Sequence, residues 1–254
     1  MQTLSVIIPV YNEEELVSRT LQKVVGADSC GLRKEIIIVD DGSTDQTGRN
    51  LKFKILNFKS NSNNKSQNTT IVFIQKKQNE GKGAALRAGF KKATGDILMV
   101  QDADEEYSVE DYRQLLLPFL GGHCKAVYGS RNMKRKKFRN NYSYFVFYLG
   151  GLFLTWIVNI LFNLKLTDQP TGYKLFSKEV THLLLMPKEN RFSYEVAITA
   201  TLAKHSIPII EVPIHYRPRT LAEGKKINGV DFVSSVIVAI KYKFKIMKHG
   251  HKGI

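Results

Sequence analysis

Two carboxylates one residue apart follow a short apolar run near the middle of the chain. Asp102 and Asp104 come after 97–100, Ile-Leu-Met-Val, which is typical of a buried strand. Carboxylate oxygens are the ligands that Mg²⁺ and Mn²⁺ prefer, and these ions keep positions open for phosphate oxygens. The pair therefore predicts a metal site for a phosphorylated ligand. The alternative is an acidic loop that caps a helix beginning near Val109.

Polar side chains also stand at the ends of two earlier apolar runs. Pro9, Tyr11 and Glu13 close the run at 4–10, and an Asp-Asp-Gly-Ser-Thr-Asp sequence, 40–45, closes the run at 35–40. By itself Asp-Gly-Ser is equally typical of a turn or a helix cap. Together the two strand ends indicate a second group of ligand contacts.

A glycine-flanked lysine opens a helical stretch. In 79–84, Asn-Glu-Gly-Lys-Gly-Ala, the glycines permit close backbone approach and Lys82 could contact a diphosphate. The sequence is not a Walker loop, because its spacing differs and no Ser or Thr follows the lysine.

The first half alternates between strand and helix patterns. Strands are predicted at 4–10, 35–40, 71–75 and 96–102, helices at 13–24, 45–53 and 82–93, and a surface loop at 57–70. Such alternation predicts an α/β fold with a doubly wound, mostly parallel sheet. Its ligands bind beyond the carboxyl ends of the strands, where all the polar groups above are found.

These motifs, in this order and spacing, resemble those of family 2 glycosyltransferases of the GT-A fold. Further motifs at 128–131, 167–176, 212–220 and 223–227 are similar to those of polyprenyl-phosphate sugar synthases, including the dolichyl-phosphate mannose and glucose synthases. The resemblance implies a Rossmann-like GT-A sheet flanked by helices, with amphipathic interfacial helices toward the C-terminus. It also implies inverting transfer of a hexose from a UDP- or GDP-sugar to a polyprenyl or dolichyl phosphate, with Mg²⁺ or Mn²⁺ as cofactor.

The resemblance assigns roles to individual side chains. It implies catalytic roles for Asp104, Arg131 and Arg219, and metal binding by Asp102, Asp104 and Glu106. The residues implied in binding the donor nucleotide are Pro9, Tyr11, Glu13, Asp40, Lys82, Asp102 and Ala103. Those implied in binding the acceptor phosphate are Arg131, Asp168, Arg219, Lys225 and Lys226.

The nature of the acceptor decides what chemistry the site needs. A hydroxyl acceptor needs a general base, whereas a lipid monophosphate with a second pKa near 6 is mostly ionised at neutral pH. A soluble or glycan hydroxyl acceptor remains the alternative, because all such enzymes share the motifs of the first half.

Charge is distributed unevenly along the 254 residues, whose formal net charge is +15. Only seven of the 23 acidic side chains follow Asp111, but 23 of the 38 basic ones do. A one-sided positive field favours a polyanion or an anionic membrane over an inert solvated face, which is the alternative. No nucleic-acid-binding signature accompanies it, so a basic nucleic-acid module is the remote alternative.

Two apolar segments predict association with a membrane surface. Segment 142–164 has no charged residue, and 230–248 mixes apolar residues with four lysines. A crossing at 142–164 would place Asp104 and Arg219 on opposite sides of the bilayer. We therefore expect one or two helices lying on the membrane beside the site; a buried core helix is the alternative.

The expected organisation is a catalytic domain at 1–220 and a basic amphipathic segment at 221–254. The catalytic domain divides into a nucleotide-binding half, about 1–130, and an acceptor half, about 131–220. The two cysteines lack metal or disulfide spacing and the N-terminus lacks a signal-peptide pattern, which predicts a cytoplasmic, peripherally membrane-associated protein. The sequence leaves open a membrane-protein partner or a homo-oligomer.

Overall fold

The computed structural model of the chain describes residues 2–60, 68–122, 124–133, 145–219 and 229–245. Within these ranges helices surround a single sheet. The strands are β1 (Thr3–Val10), β2 (Arg33–Asp40), β3 (Thr69–Gln75), β4 (Ile97–Val100), β5 (Ala126–Ser130), β6 (Lys174–Ser177) and β7 (Ile209–Pro213). The helices are α1 (Val17–Gly26), α2 (Thr47–Ser60), α3 (Lys82–Lys92), α4 (Tyr112–Leu120), α5 (Phe145–Phe162), α6 (Thr181–Leu184), α7 (Ser193–Lys204) and α8 (Gly229–Phe244).

The sheet has the order β3-β2-β1-β4-β6-β5-β7. β6 runs antiparallel to both of its neighbours, β4 and β5, and the other pairs are parallel. The predicted α/β fold with a mostly parallel sheet flanked by helices is confirmed. The carboxyl ends of β1, β2 and β4 lie at one edge, and the reversal of β6 brings its first residue, Lys174, opposite Val100 at that edge.

Alternate residues of the central strands face two cores. Val6 and Ile8 of β1 pack with α1, α2 and α4, whereas Ile7 packs with α3, α6 and α7 on the other face. All three side chains are essentially buried. Burial of both faces explains why β1 and β2 are continuous apolar runs rather than alternating ones.

Several predicted boundaries are wrong. The helix predicted at 13–24 begins at Val17, because Glu13 forms a turn and its backbone N–H is bound by Thr47 Oγ1 at 2.8 Å. The predicted loop at 57–70 is wrong at both ends: α2 continues to Ser60, and β3 begins at Thr69. The buried Leu51 and Ile55, followed by Phe58 against the same core, carry the helical period into that region.

Segment 142–164 contains one continuous helix over its described residues, α5. Leu154, Thr155 and Val158 are its buried residues, so the alternative of a buried core helix is wrong. Of the described helices, α5 is the one long and apolar enough to cross a membrane. It packs against α7 and α8 through a shared apolar cluster that includes Val158, Val196 and Ala239. The boundary predicted near residue 220 lies outside the described residues and stays a prediction.

The close packing of α3 on β1 requires a glycine and generates a stability prediction. A Cβ on Gly89 would lie 2.3 Å from Cγ2 of the fully buried Ile7. Gly89→Ala should therefore lower the free energy of unfolding by about 1–3 kcal/mol through overpacking, measured by chemical denaturation. The control is Gly26→Ala, at an exposed helical position with nothing within 4 Å, which should leave stability unchanged or slightly raised. Equal stability of the two variants would contradict the packing argument.

Candidate active site

A cavity of about 1030 Å³ opens at the carboxyl edge of β1, β2 and β4. It also reaches the segment before β6, the end of β5, and residues of α5, α7 and α8; on α5 some of these, such as Val146, are exposed at the opening of the cavity. The predicted site residues that line it are Pro9, Tyr11, Glu13, Lys82, Asp102, Ala103, Asp104, Glu106, Arg131 and Arg219. Residues predicted from the first half of the sequence thus line the same cavity as two arginines from the second half.

Two predicted residues lie away from the cavity lining, and two others are not described. Asp40 and Asp168 are buried at 0% and 1% exposure and are not among the residues that line the cavity. Lys225 and Lys226 lie outside the described residues. Their direct contacts with a ligand stay predictions.

A chain of four alternating charges crosses the cavity wall. Lys82 Nζ lies 2.8 Å from Asp102 Oδ1 and 2.7 Å from Glu195 Oε1, and Lys174 Nζ lies 3.1 Å from Glu195 Oε2. Burial alone would favour neutral forms, but Lys174 and Lys82 lower the pKa of Glu195. Asp102 and Glu195 in turn raise the pKa of Lys82, so that lysine remains a cation inside the protein.

The glycines beside Lys82 fit against protein backbone. A Cβ on Gly81, whose φ is +101°, would lie 2.3 Å from the carbonyl oxygen of Asn190, and one on Gly83 would lie 2.5 Å from that of Glu189. The amide of Ala84 donates to the same Asn190 carbonyl at 3.2 Å. The glycines were expected to permit close backbone approach, and the backbone that they approach is the segment before α7. This contact fixes the position from which Lys82 enters the cavity.

Arg219 connects the acidic groups at the other side of the cavity. Its Nη1 and Nη2 each lie 3.1 Å from the Glu13 carboxylate, and Nη2 lies 3.5 Å from Asp104 Oδ2. Burial, followed by repulsion from Asp102 and Glu106, raises the pKa of Asp104. The partly buried carboxylate of Asp104 is thus one that an additional cation would stabilise.

Glu106 holds the segment that carries Arg219. Its carboxylate accepts hydrogen bonds from the Tyr216 hydroxyl and the Arg219 amide, each at 2.7 Å, and its carbonyl accepts one from the Arg217 amide at 2.9 Å. These bonds attach the chain after β7 to the loop after β4. The predicted role of Glu106 as a third metal ligand stays a prediction, and its structural role is a finding.

Asp41, to which the sequence analysis gave no role, lines the cavity, whereas the predicted Asp40 does not. The Asp40 carboxylate accepts from the Ser43 amide at 2.9 Å and from Gln75 at 3.3 Å. Asp41 accepts from the amides of Glu80 and Gly81 and pairs with Lys76 at 2.6 Å. Asp40 therefore shapes the turn after β2, and Asp41 fixes the loop before α3.

Arg131 is held at the end of β5 by Asp168. The Asp168 carboxylate accepts from Arg131 Nε and Nη2, each at 2.7 Å, and from the Arg131 amide at 2.8 Å. The guanidinium also stacks on the Tyr216 ring, 4.9 Å from its centroid. Although burial opposes the charged form, Asp168 raises the pKa of Arg131, which delivers a fixed cation to the cavity.

The donor atoms at the carboxyl edge fit a hard divalent ion only in part. Asp102 and Asp104 both line the cavity, and Gly172 leaves room for Asp102, since a Cβ there would lie 2.4 Å from Oδ2. In the described part of the chain no three acidic, histidine or cysteine groups form a ready metal cluster. Two carboxylates are the kind of set that a Mg²⁺ or Mn²⁺ completes with phosphate oxygens and water.

Sequence reasoning missed Lys174, Glu195 and Glu211 as parts of the site. Glu195 stands in α7 among apolar residues, and Glu211 stands in the short edge strand β7, so neither has a local motif. The signal available in the sequence is a charged residue within an apolar element, such as Lys174 or Glu195. It indicates a buried charge, and a buried charge needs a partner. That signal does not say which partner the charge finds.

The part of the lining that the helices contribute is mostly apolar. It comes from α5, α8, the start of α7 and the segment before β6, and its apolar members are Val146, Phe147, Leu149, Phe153, Leu154, Pro170, Phe192, Val196 and Phe232. The same elements also contribute the polar residues Gln169, Arg191, Asp231 and Ser235. One cavity thus joins charged residues at the edge of the sheet to a mostly apolar lining from the helices.

Comparison with known proteins agrees with this architecture. A UDP-N-acetylglucosamine–dolichyl-phosphate N-acetylglucosaminyltransferase of Methanococcus voltae is 32% identical over 96% of the chain and 95% of that protein. A dolichol-phosphate mannosyltransferase of Pyrococcus furiosus is 26% identical over 96% of the chain, which spans 64% of that protein.

A solved structure shows the same fold. Glucosyl-3-phosphoglycerate synthase from Mycobacterium tuberculosis, in complex with Mn²⁺, uridine diphosphate and phosphoglyceric acid, superposes with a TM-score of 0.68 at 19% identity. The match covers 97% of this chain and 80% of that one, and it confirms the expected GT-A fold. The sequence pattern of Glycosyl transferase family 2 matches residues 5–183. The chain therefore belongs to glycosyl transferase family 2 and is a glycosyltransferase.

Proposed function

We propose that this glycosyltransferase transfers a hexose from a UDP- or GDP-sugar to a polyprenyl or dolichyl phosphate at the cytoplasmic face of a membrane. The observation that carries the proposal is the mixed lining of one cavity. Its charged residues at the sheet edge suit a nucleoside diphosphate bound with a divalent cation, and its mostly apolar helical lining suits a prenyl chain. The relatives named for dolichyl-phosphate acceptors support the same acceptor class.

The donor binds at the ends of β1, β2 and β4. Pro9, Tyr11 and Glu13 lie beside the base and ribose, and Lys82 lies where it reaches the diphosphate. Lys82 keeps its charge through Asp102 and Glu195, so it offsets the negative charge that develops on the leaving nucleotide.

A divalent ion held by Asp102 and Asp104 would act as a Lewis acid toward the departing diphosphate. Burial and the neighbouring carboxylates raise the pKa of Asp104 and so disfavour its ionised form. A cation bound at this position would favour the ionised form again, which agrees with the assignment.

The acceptor phosphate binds at Arg131. Asp168 and the Tyr216 ring fix the guanidinium, so the arginine offers a preorganised cation to an anionic nucleophile. Glu195, which lines the cavity, has a lowered pKa and is a weak base. Asp104 is a lining carboxylate with a raised pKa, but it is assigned to the metal, whose charge would lower that pKa again. With Asp104 on the metal, the site suits a nucleophile that is already ionised.

Transfer is a single displacement. A phosphate oxygen of the acceptor forms a bond to the anomeric carbon while the bond from that carbon to the nucleoside diphosphate breaks, and the electron pair leaves with the diphosphate. The configuration at the anomeric carbon inverts. Arg131 relieves repulsion between the two phosphates, and Lys82 and Arg219 stabilise charge on the leaving group.

The exposed faces of α5 and α8 support binding to a membrane surface. On α5 the exposed stripe is Phe145, Val146, Leu149, Phe153, Trp156 and Ile160, and on α8 it is Val230, Val233, Ile237, Ile240 and Phe244. The inner face of α5 is tied to the catalytic domain, since Asn159 exchanges two hydrogen bonds with Leu166. Asp104 and Arg219 lie 3.5 Å apart, so the site is on one side of any bilayer.

The acceptor class is tested by a transfer assay with purified protein. A short-chain polyprenyl phosphate, a nucleotide-sugar panel and Mn²⁺ should give a glycosyl phosphate product, and the matching polyprenol should give none. Transfer to a glycan or other hydroxyl, with none to the phosphate, would contradict the proposal and favour the alternative acceptor.

Asp104→Ala should reduce metal-dependent transfer by about 100-fold or more, because it removes a ligand of the charge-neutralising ion. The unfolding temperature should be unchanged or higher, since burial disfavours this carboxylate. Asp28→Ala, at an exposed position, is the matched control and should keep full activity. An Asp104→Ala enzyme as active as the control would remove Asp104 from the metal site.

The membrane surface is tested by changing Phe145, Trp156 and Ile160 together to Ser. Sedimentation with anionic vesicles should show at least tenfold weaker binding, because each large apolar side chain contributes roughly 1.5–3 kcal/mol when buried. The control changes the exposed Leu117 and Leu120 of α4 to Ser. Equal losses in both variants would indicate that α5 has no special role.

A further inference from the structure

A glutamate on the edge strand β7 organises the turn that precedes β6. One carboxylate oxygen of Glu211 accepts from the Thr167 amide at 2.7 Å and from the Thr167 hydroxyl at 2.9 Å. The other accepts from the Asp168 amide at 3.0 Å. Both oxygens of this half-buried side chain are therefore engaged by two consecutive residues.

The same turn supplies the groups that hold Arg131. Asp168 receives three hydrogen bonds from Arg131, two from the guanidinium and one from the backbone. Asp168 is 1% exposed, so its carboxylate has little freedom once its backbone is fixed. The position of the guanidinium thus depends on the position of the Asp168 backbone, which Glu211 fixes.

A second connection joins the turn to β5. The Thr167 hydroxyl, which donates to Glu211, lies 2.7 Å from Ser130 Oγ, and Asn132 donates to the Thr167 carbonyl at 2.9 Å. Residues 128 and 130 of β5 lie in register with 211 and 213 of β7. Glu211 therefore sits where β7, the turn and the end of β5 meet.

We propose that Glu211 is a positioning residue for the acceptor phosphate, acting through the Thr167–Asp168 turn on Arg131. The inference rests on the proposed role of Arg131 in binding that phosphate. Glu211 is not among the residues that line the cavity, so we assign it no direct contact with either substrate. Its effect is on where the Arg131 charge is held.

Position 211 requires a side chain with two oxygens that both accept hydrogen bonds, as a carboxylate does. Its partners are backbone N–H donors on two residues, so both side-chain oxygens must accept. In Glu211→Gln the amide nitrogen replaces one oxygen and faces a donor, although the size of the side chain is unchanged. One N–H of the turn then loses its partner, and the turn shifts to find another.

Steady-state kinetics with a short-chain polyprenyl phosphate test the proposal. Glu211→Gln should raise the KM for the acceptor roughly tenfold, with the Kd for the nucleotide, measured by calorimetry, unchanged. Glu179→Gln, which alters an exposed ion pair with Lys125, is the matched control and should leave both values unchanged. An unchanged acceptor KM in Glu211→Gln would overturn the proposal.

A double-mutant cycle with Arg131→Ala separates positioning from a general structural effect. If Glu211 acts through Arg131, Glu211→Gln should add nothing to the acceptor KM once Arg131 is gone. Additive losses would overturn positioning while leaving the role of Arg131 intact. An Arg131→Ala enzyme with an unchanged acceptor KM would instead overturn the proposed function of Arg131.

Glu211→Asp provides a second variant should Glu211→Gln lose nucleotide binding. It keeps the charge but shortens the side chain by one methylene, which withdraws the carboxylate from the amides of Thr167 and Asp168. The same acceptor-selective rise in KM supports the proposal, and no rise overturns it.

Discussion

Negative charge buried at the carboxyl edge of the sheet is the constraint on which the rest of the structure depends. Glu13, Asp102, Asp104 and Glu195 all line the cavity, and charges removed from water need partners. Lys82 serves two of these carboxylates and Arg219 serves the other two. Because Arg219 comes after β7 and Glu13 after β1, this pairing ties together distant parts of the sequence. The basic second half thus has a structural as well as an electrostatic role.

The fold and the meeting of polar residues at the carboxyl edge of the sheet could be predicted from the sequence for a physical reason. A strand buried on both faces is a continuous apolar run, so β1, β2 and β4 are visible in the sequence and the polar residues after them fall at one edge. The edge strand β7 is only half-buried and lacks that pattern, and it was not predicted as a strand. The assignment of Asp40 to the donor stays a prediction. The sequence could not show that its neighbour Asp41 lines the cavity, because one position at the end of β2 reverses the direction of the side chain.

The connections among charged residues could not be predicted in the same way. Glu195 meets both Lys82 and Lys174 because α7 packs against α3 and lies beside β6, and no local spacing encodes those contacts. The glycines of the Lys82 loop show a related difficulty. Their types indicated a close approach, but only the structure identifies Glu189 and Asn190 as the backbone approached.

The reversed direction of β6 has a consequence for how such chains can diverge. A strand parallel to β1 places at the ligand edge the residues that follow it in the chain. Because β6 runs in the opposite direction, it places there the residues that precede it, including Asp168 and Gly172. The stretch between α5 and β6 therefore contacts two loops at once. The Gly172 amide donates to the Tyr107 hydroxyl in the loop after β4 at 2.7 Å, whereas the Asp168 carboxylate accepts from the Arg131 amide at the end of β5. A change in the length of this stretch would therefore be felt at both places, and the inverted strand makes it a bridge between the two halves of the sheet.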